Sequence, residues 1–202
     1  LTVYERTKIM MALSKNADSP NIMGLIKPDT VGAEIGVWKA NTSVLFLERK
    51  VKKLYMVDPY SVDPYEYLGE NYMQEFYTKY SKVTGEFSKE GFMRYYDGVH
   101  REVCQKVKPY PAAEVCRMTS DEWFAEHKDV ELDWIYIDGD HSYEATLKDL
   151  NNAFAIVKKG GMILGDDYKW PNARWSKPGT TKAVNEFKEK NNLKMFRYGE
   201  TQ

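Results

Sequence analysis

Short apolar runs alternate with amphipathic segments along the chain, and the alternation repeats five or six times. The runs are typical of buried strands and cover residues 31–37, 53–57, 112–118, 132–137, 161–165 and 193–198. After Ser142, apolar residues recur at steps of three and four and indicate one face of a helix: Leu147, Leu150, Phe154 and Val157. This alternation predicts an α/β fold, Rossmann-like and doubly wound, with a mostly parallel sheet and helices on both faces.

Polar residues at the borders of these segments predict where other helices begin. Thr2 and Glu5 form a capping-box pattern, which predicts a helix to about residue 14. Pro20 suits the first turn of a second helix, so residues 1–30 form a predicted N-terminal helical segment. Thr42 or Ser43 is the predicted cap of the helix that follows the run at 31–37.

A long helical stretch is predicted from residue 65 to residue 107, after the second of the predicted strands. Eight of the 15 tyrosines fall between Tyr60 and Tyr96. We interpret residues 60–110 as a helical insertion and lid, because aromatic rings with hydroxyl groups suit sugars and other polyhydroxylated or aromatic molecules. Ordinary helix core and a dimer surface are the alternatives, so a homodimer is compatible with this pattern.

Composition narrows the classes of function. The 202 residues suffice for a single domain, and 29 basic against 30 acidic residues argue against a dedicated nucleic-acid binder. No apolar run approaches the ~20 residues of a membrane span, and we expect no signal peptide. Cys104 and Cys116 are too few for a zinc site or a disulfide framework, so we expect a reduced, cytoplasmic protein.

Acidic residues border the ends of four predicted strands. Ligands of open parallel sheets bind beyond the carboxyl ends of the strands, so these side chains are candidates for a site. They are Glu34, Asp58, Asp138 with Asp140, and Asp166 with Asp167. The run at 112–118 is followed instead by Thr119, Ser120 and Asp121.

Gly36 lies in a turn between a strand and a helix, which suggests a nucleotide-like ligand. The next glycine is Gly69, so the dinucleotide pattern GxGxxG is absent, and Glu34 beside the turn would repel a pyrophosphate. Asp58 follows Gly36 by 22 residues, close to the ~20 expected for a carboxylate that binds ribose hydroxyls. Termination of their strands is the alternative role of Glu34 and Asp58.

These segments resemble the class I S-adenosylmethionine-dependent methyltransferases over nearly the whole chain. The motifs concerned are VGAEIGVWKANTS, YMVDPY and RMTSDEW. The cofactor contacts that the resemblance implies are Glu34 and Gly36 beside the methionine part, Asp58 on the ribose, and Thr119 and Ser120 beside the adenine. Trp38 lies in the loop after the first of the predicted strands and is a candidate gate for the cofactor. It also implies a seventh, antiparallel edge strand after residue 198, whereas the sequence given ends at Gln202 before one could form.

The segments DWIYIDGDHSYEATLKDL and VKKGGMILGDDY resemble the branch that contains catechol O-methyltransferase and the metal-dependent sugar O-methyltransferases of antibiotic pathways. This resemblance implies a Mg²⁺ site on Asp138, Asp166 and Asp167, with Asp138 also beside the cofactor. Mg²⁺ prefers oxygen ligands, and clustered carboxylates repel one another without a cation. Solvated loop acids and helix caps are the alternative, and Asp140 is a candidate cap.

His141 follows Asp138 by three residues, the offset at which the catechol enzyme carries its catalytic lysine. The resemblance to the catechol enzyme concerns only the position of this residue, because the residue type differs. An imidazole, with an ordinary pKa of about 6.5, is a reasonable base for a hydroxyl proton. A helix-capping or ligand-contacting histidine is the alternative.

The sequence therefore predicts an enzyme that transfers a methyl group from S-adenosylmethionine to a hydroxyl of a small acceptor such as a sugar or phenol. Mg²⁺ is the expected metal, and Asp138 and His141 are the expected catalytic residues. A metal-independent methyltransferase that acts on nitrogen or on a macromolecule is the first alternative. A nicotinamide-dependent oxidoreductase and a non-catalytic cofactor-binding module are the others.

Overall fold

The computed structural model describes residues 10–14, 20–168 and 179–197, which form a seven-stranded sheet flanked by helices. The strands are β1 (Met10–Ser14), β2 (Val31–Ile35), β3 (Lys53–Val57), β4 (Ala113–Cys116), β5 (Leu132–Ile137), β6 (Val157–Asp166) and β7 (Met195–Arg197). The helices are α1 (Pro20–Met23), α2 (Asn41–Glu48), α3 (Glu70–Thr84), α4 (Lys89–Val107), α5 (Ser120–Glu126), α6 (Tyr143–Ile156) and α7 (Gly179–Lys190), with a 3-10 helix at Asp63–Leu68.

The strand order is β4-β3-β2-β5-β6-β1-β7, and the described strands pair in parallel throughout. Helices α5, α6 and α7 pack on one face of the sheet, with Trp123 and Phe187 in that layer of the core. Helices α1, α2 and α4 pack on the other face, with Phe46 and Val103 in that layer. The predicted α/β architecture is confirmed, because parallel strands need apolar cover on both faces.

The predicted helix over residues 2–14 is wrong for Met10–Ser14, which form β1. This strand pairs with β6, from Met10 opposite Met162 to Ser14 opposite Asp166, and it also pairs with β7. The segment MMALS suits either a helix or a strand, and pairing partners far along the chain decide between them. β1 thus lies, in parallel orientation, between β6 and β7. Thr2 and Glu5, and the residues after 197, lie outside the described part of the chain.

The segment from residue 63 to residue 107 forms three helical pieces and not one long stretch. Gly85 ends α3 in the left-handed conformation, with a φ of 78°, and Ser88 starts α4 by accepting a hydrogen bond from a backbone N–H. The second half of α4 packs on the sheet through Val103. The first half of α4 packs with α3 and the 3-10 helix around Phe92. These three helices lie over the edge of the sheet at which the strands end.

Helix α2 begins without a side-chain cap. Its N-terminal residue is preceded by Ala40 in the left-handed conformation, with a φ of 56°. Thr42 and Ser43, the predicted caps, lie inside the first turn, so that prediction is wrong. The Ser43 hydroxyl donates to Glu34 instead. Of the helices in the described residues, none combines the length and apolar character that a membrane crossing requires.

Candidate active site

A cavity of about 570 Å³ opens at the carboxyl ends of β2, β3, β5 and β6. The loop after β2, the 3-10 helix, the start of α5 and the loop between β5 and α6 form its walls. The predicted site residues that line it are Gly36, Trp38, Asp58, Thr119, Ser120, Asp138 and Asp166. This volume falls in the range of small-molecule sites, and its position is the one expected for an open parallel sheet.

Position 36 requires a glycine, because the backbone of Asp138 approaches it closely. Its φ is 88°, and a Cβ at this position would lie 2.0 Å from the carbonyl oxygen of Asp138. The Gly36 N–H donates to Val57 O at 2.9 Å, and the Asp138 N–H donates to Ile35 O at 2.8 Å. These bonds draw the ends of β2, β3 and β5 together at the floor of the cavity.

Asp58 lines the cavity and also holds the glycine turn in place. Its Oδ2 accepts from the N–H groups of Val37 and Trp38 at 3.0 and 2.9 Å, and its Oδ1 accepts from Tyr60 N at 2.7 Å. Burial raises the pKa of Asp58, although the three backbone hydrogen bonds act in the opposite direction. Carboxylate oxygens accept more than one hydrogen bond, so a ligand hydroxyl can still bind here.

Glu34 lies behind the cavity wall. Its side chain is 1% exposed, does not line the cavity and accepts a hydrogen bond from the Ser43 hydroxyl. Burial raises the pKa of Glu34 well above its ordinary value, and the charges of Asp138 and Asp58 add to the effect. In this arrangement Glu34 supports the turn from beneath, and its contact with the methionine part of the cofactor stays a prediction.

Trp38 stands at the mouth of the cavity. Its side chain is 52% exposed, and its indole Nε1 donates to the Tyr95 hydroxyl of α4 at 3.2 Å. The glycine turn and the tyrosine-rich segment are thereby joined across the opening. This position is the one that a gate would need.

Thr119 and Ser120 begin α5 at the opposite wall. The Thr119 hydroxyl accepts from Glu122 N, and the Glu122 carboxylate accepts from Thr119 N, which completes a capping box. The Ser120 side chain lies beside the carboxylate of Asp149 on α6 and lowers its pKa. Of the two residues predicted to lie beside the adenine, Thr119 therefore caps the start of α5, and Ser120 lies beside a buried carboxylate.

The predicted base and two predicted metal ligands lie in one cluster. His141 Nε2 is 3.4 Å from Asp138 Oδ1 and 3.2 Å from Asp167 Oδ2. One ligand atom of each lies within 4.8 Å of the others, a spacing that could hold a metal ion. Burial lowers the pKa of His141, but the hydrogen bond to Asp138 and the neighbouring carboxylates together raise it above its ordinary value.

Asp166, the third predicted ligand, lines the cavity next to this cluster. Its Oδ1 accepts from Asp167 N at 2.9 Å. Asp167 has a φ of 55°, and this turn directs its side chain toward His141 while Asp166 remains on the cavity side. Burial raises the pKa of Asp166 to about 7, and the charge of Asp138 adds to the effect.

Tyrosines of the lid segment face the loop between β5 and α6. Tyr65, Tyr67 and Tyr96 line the cavity. Tyr67 lies near Asp140 and Ser142, and burial together with the charge of Asp140 raises the pKa of its phenol. Ser142, not Asp140, caps α6, and Asp140 Oδ1 accepts from Ser142 N at 2.8 Å in the turn before it. The cavity thus has a wall of phenol groups above an acidic loop.

Residues 33–168 match the model of a family described as a methyltransferase domain. The chain belongs to this methyltransferase family. Membership implies S-adenosylmethionine as the methyl donor, in agreement with the class I resemblance of the sequence motifs. The narrower resemblance to the O-methyltransferase branch is taken up below as a proposal.

Individual relatives of this methyltransferase domain are distant. Uncharacterized protein R132 of Acanthamoeba polyphaga mimivirus is 29% identical over 160 residues, which are 79% of this chain and 59% of that protein. The chain therefore spans about three fifths of the length of this curated relative.

Two solved structures match parts of the chain. The fibrillarin pre-rRNA processing protein of Methanococcus jannaschii has a TM-score of 0.51 at 13% identity, over 82% of this chain and 57% of that one. The precorrin 8w decarboxylase of Methanobacterium thermoautotrophicum has a TM-score of 0.44 at 12% identity, over 75% of this chain and 68% of that one. At such identities the likeness of the fibrillarin concerns the fold alone.

Asp149 is a site residue of this methyltransferase that sequence reasoning missed. It is 4% exposed and lines the cavity from α6. Burial raises the pKa of Asp149 to about 7, against the lowering effect of Ser120. A signal was present in the sequence, because the buried residues of α6 follow steps of three and four with an acid among them: Thr146, Asp149, Ala153 and Ile156.

The variant Asp149→Asn is expected to gain stability relative to the parent as pH rises from about 4 to about 7. The folded-state pKa of Asp149 is raised from 3.8 to about 7, so the folded state retains the proton where the unfolded state releases it. The parent loses stability across that window, and an amide does not titrate. Urea unfolding of both proteins from pH 4 to pH 8 measures the difference. A difference that stays constant with pH contradicts the raised pKa.

Proposed function

We propose that this methyltransferase transfers a methyl group from S-adenosylmethionine to a hydroxyl oxygen of a small acceptor, with the assistance of a divalent cation, Mg²⁺. The observation that supports the proposal most is the cluster of Asp138, His141 and Asp167 beside the cavity. The cluster lies at the ends of β5 and β6, and its member Asp138 lines the cavity, which supports a contact with a ligand there.

The three carboxylates are suitable ligands for Mg²⁺, and in this proposal the histidine acts as a base and not as a ligand. Mg²⁺ takes oxygen ligands, whereas imidazole is more typical of zinc, copper, iron and nickel sites. Asp138, Asp166 and Asp167 offer carboxylates at adjacent strand ends, and a cation bound by them would leave the imidazole of His141 the role of a base. Burial and the charge of Asp138 raise the pKa of Asp166, and a bound cation would favour the charged form of this carboxyl group.

Each group of residues around the cavity has a role in the proposed reaction. S-adenosylmethionine supplies an electrophilic methyl group, and a divalent cation lowers the pKa of the acceptor hydroxyl. Asp58 and the turn at Gly36 orient the nucleoside, and His141 Nε2 accepts the hydroxyl proton. Trp38 and the tyrosines of the lid exclude water and hold the two reactants together, which is mainly a proximity effect.

The lining of the cavity favours a neutral, hydroxylated acceptor. Acidic residues around it are Asp58, Asp121, Asp138, Asp140, Asp149 and Asp166, and Lys39 alone is cationic among the described lining residues. Phosphorylated acceptors and nucleic acids would be repelled by this charge. Tyrosine rings and hydroxyl groups at the same wall suit a sugar or a phenol.

Thermal shift measurements with single ligands test the proposed donor and metal. S-adenosylmethionine and S-adenosylhomocysteine are expected to raise the unfolding temperature, and nicotinamide dinucleotides are not. At 100 times the dissociation constant, binding stabilises the folded state by about 2.7 kcal/mol. Stabilisation by the nicotinamide compounds alone would contradict the proposal.

Asp58→Ala is expected to weaken binding of S-adenosylhomocysteine by about 10- to 150-fold, or ~1.5–3 kcal/mol, because one charged hydrogen bond to the ribose is lost. The loss of the three backbone N–H contacts to Val37, Trp38 and Tyr60 adds to this value. Isothermal titration calorimetry measures the affinity. The matched control is Asp129→Ala, in the exposed turn before β5, and unchanged affinity in Asp58→Ala would remove Asp58 from the site.

A further inference from the structure

The loop between β2 and α2 adopts a backbone conformation that two of its residues disfavour. Trp38 and Ala40 have φ angles of 45° and 56°. Both angles lie in the left-handed region, where a Cβ crowds the neighbouring backbone and only glycine is at ease. After Gly36 the loop contains no further glycine. Contacts from outside the loop must therefore hold it in this conformation, and strain of this kind is typical of functional sites.

Asp58 and Lys106 hold the two halves of this loop. Asp58 Oδ2 accepts hydrogen bonds from the N–H groups of Val37 and Trp38 in the first half. In the second half, Lys106 Nζ donates to the carbonyl oxygen of Lys39 at 2.9 Å and to Asn41 Oδ1 at 2.7 Å. These two acceptors lie on either side of the left-handed Ala40, so Lys106 bridges the strained position.

Helix α4 provides a firm base for Lys106. Its buried residues Val99, Val103 and Val107 follow one another at steps of four and pack in the same layer of the core as Ala40. About three turns before Lys106, the Tyr95 hydroxyl of α4 accepts from the indole of Trp38 at 3.2 Å. The same helix thus holds the loop at both of its strained residues.

We propose that Lys106 is a positioning residue, which keeps the loop in its cofactor-binding conformation and so raises the affinity for S-adenosylmethionine. The inference rests on the proposed binding of this cofactor beside the loop. Lys106 does not line the cavity, whereas Lys39 and Asn41, which it holds, do. A loop that adopts its binding conformation for only a fraction of the time binds its ligand more weakly by that fraction. Lys106 therefore acts on binding and not on the methyl transfer itself.

Calorimetry and steady-state kinetics of Lys106→Met test this role, because methionine keeps the apolar stem and removes the donor. The dissociation constant of S-adenosylhomocysteine and the KM for S-adenosylmethionine are expected to rise about 5- to 20-fold, the effect of two exposed hydrogen bonds from a charged group. At saturating cofactor, kcat should match that of the parent. Lys106→Arg keeps a charged donor and should retain most of the affinity. Lys108→Met, exposed at the end of the same helix, is the matched control.

A second substitution separates loop positioning from general support of the fold. Ala40→Gly removes the Cβ from the left-handed position, so the loop needs less help to adopt its conformation. In the Lys106→Met background it should recover at least about threefold of the lost affinity, and with Lys106 in place it should change the affinity less. Lost packing elsewhere would not respond to a change at position 40.

Parent-like affinity in Lys106→Met would overturn the inference and leave the proposed function intact. A loss that Ala40→Gly does not relieve, or a fall in kcat at saturating cofactor, would also overturn it. If Lys106→Met does not fold, Lys106→Arg and Ala40→Gly, each measured with and without the other, still decide. A parent that binds no S-adenosylhomocysteine would instead overturn the proposed function.

Discussion

Turnover is expected to fall at least roughly 10³-fold when divalent metal is removed with excess chelator, and to return when Mg²⁺ is added. A cation held by Asp138, Asp166 and Asp167 would contribute several kcal/mol to the stabilisation of charge in the transition state, and the acceptor hydroxyl would ionise poorly at neutral pH without it. Production of S-adenosylhomocysteine, followed with chelator and with Mg²⁺, measures the effect. Asp138→Asn should reproduce the loss at ordinary Mg²⁺ concentrations.

The cofactor provides the control for this experiment. In the proposed reaction Asp58 and the turn at Gly36 would bind the nucleoside without the carboxylates at the ends of β5 and β6, since they line a different part of the cavity wall. Affinity for S-adenosylhomocysteine should therefore change little in chelator, and Asp129→Asn should turn over like the parent. Full turnover in excess chelator would reject the metal mechanism and favour metal-independent transfer.

The strand ends could be predicted because buried parallel strands have a plain sequence pattern. A run such as that of β5 is apolar on both faces, and the acid that follows it marks the point where the strand reaches the cavity. Ser142 opens α6 as expected, through a local bond to the backbone of Ala145. Hydrogen bonds between residues three or four positions apart leave a recognisable pattern in the sequence. The side chains that such bonds position can therefore be predicted.

The features that could not be predicted depend on contacts between segments that are distant along the chain. β1 is a strand because β6 and β7 offer it partners, and nothing within MMALS specifies this. Burial of Glu34 comes from the packing of helices on the sheet, so its raised pKa could not be predicted from its neighbours in sequence. The φ of 55° at Asp167 decides that its side chain, and not that of Asp166, meets His141.

His141→Ala is expected to lower the turnover rate by about 10²- to 10⁴-fold at neutral pH, the usual contribution of a general base. Affinity for S-adenosylhomocysteine should stay nearly unchanged, because His141 contacts Asp138 and Asp167 at the metal end of the cavity and not Asp58 or α5. Steady-state kinetics and calorimetry measure the two quantities. His127→Ala is the matched control, since that histidine stacks on Trp123 at the end of α5 and does not line the cavity.

The distances around His141 allow a role as metal ligand as well, and titration with Mg²⁺ distinguishes the two roles. A lost ligand weakens metal affinity, so excess Mg²⁺ would restore turnover to His141→Ala. A lost base leaves metal affinity in place, so turnover would stay low at any Mg²⁺ concentration. We expect the second result, because Mg²⁺ prefers the carboxylates of Asp138, Asp166 and Asp167 to an imidazole. Parent-like turnover in His141→Ala would mean that Asp140 or a tyrosine of the lid accepts the proton, and Tyr67 lies near Asp140.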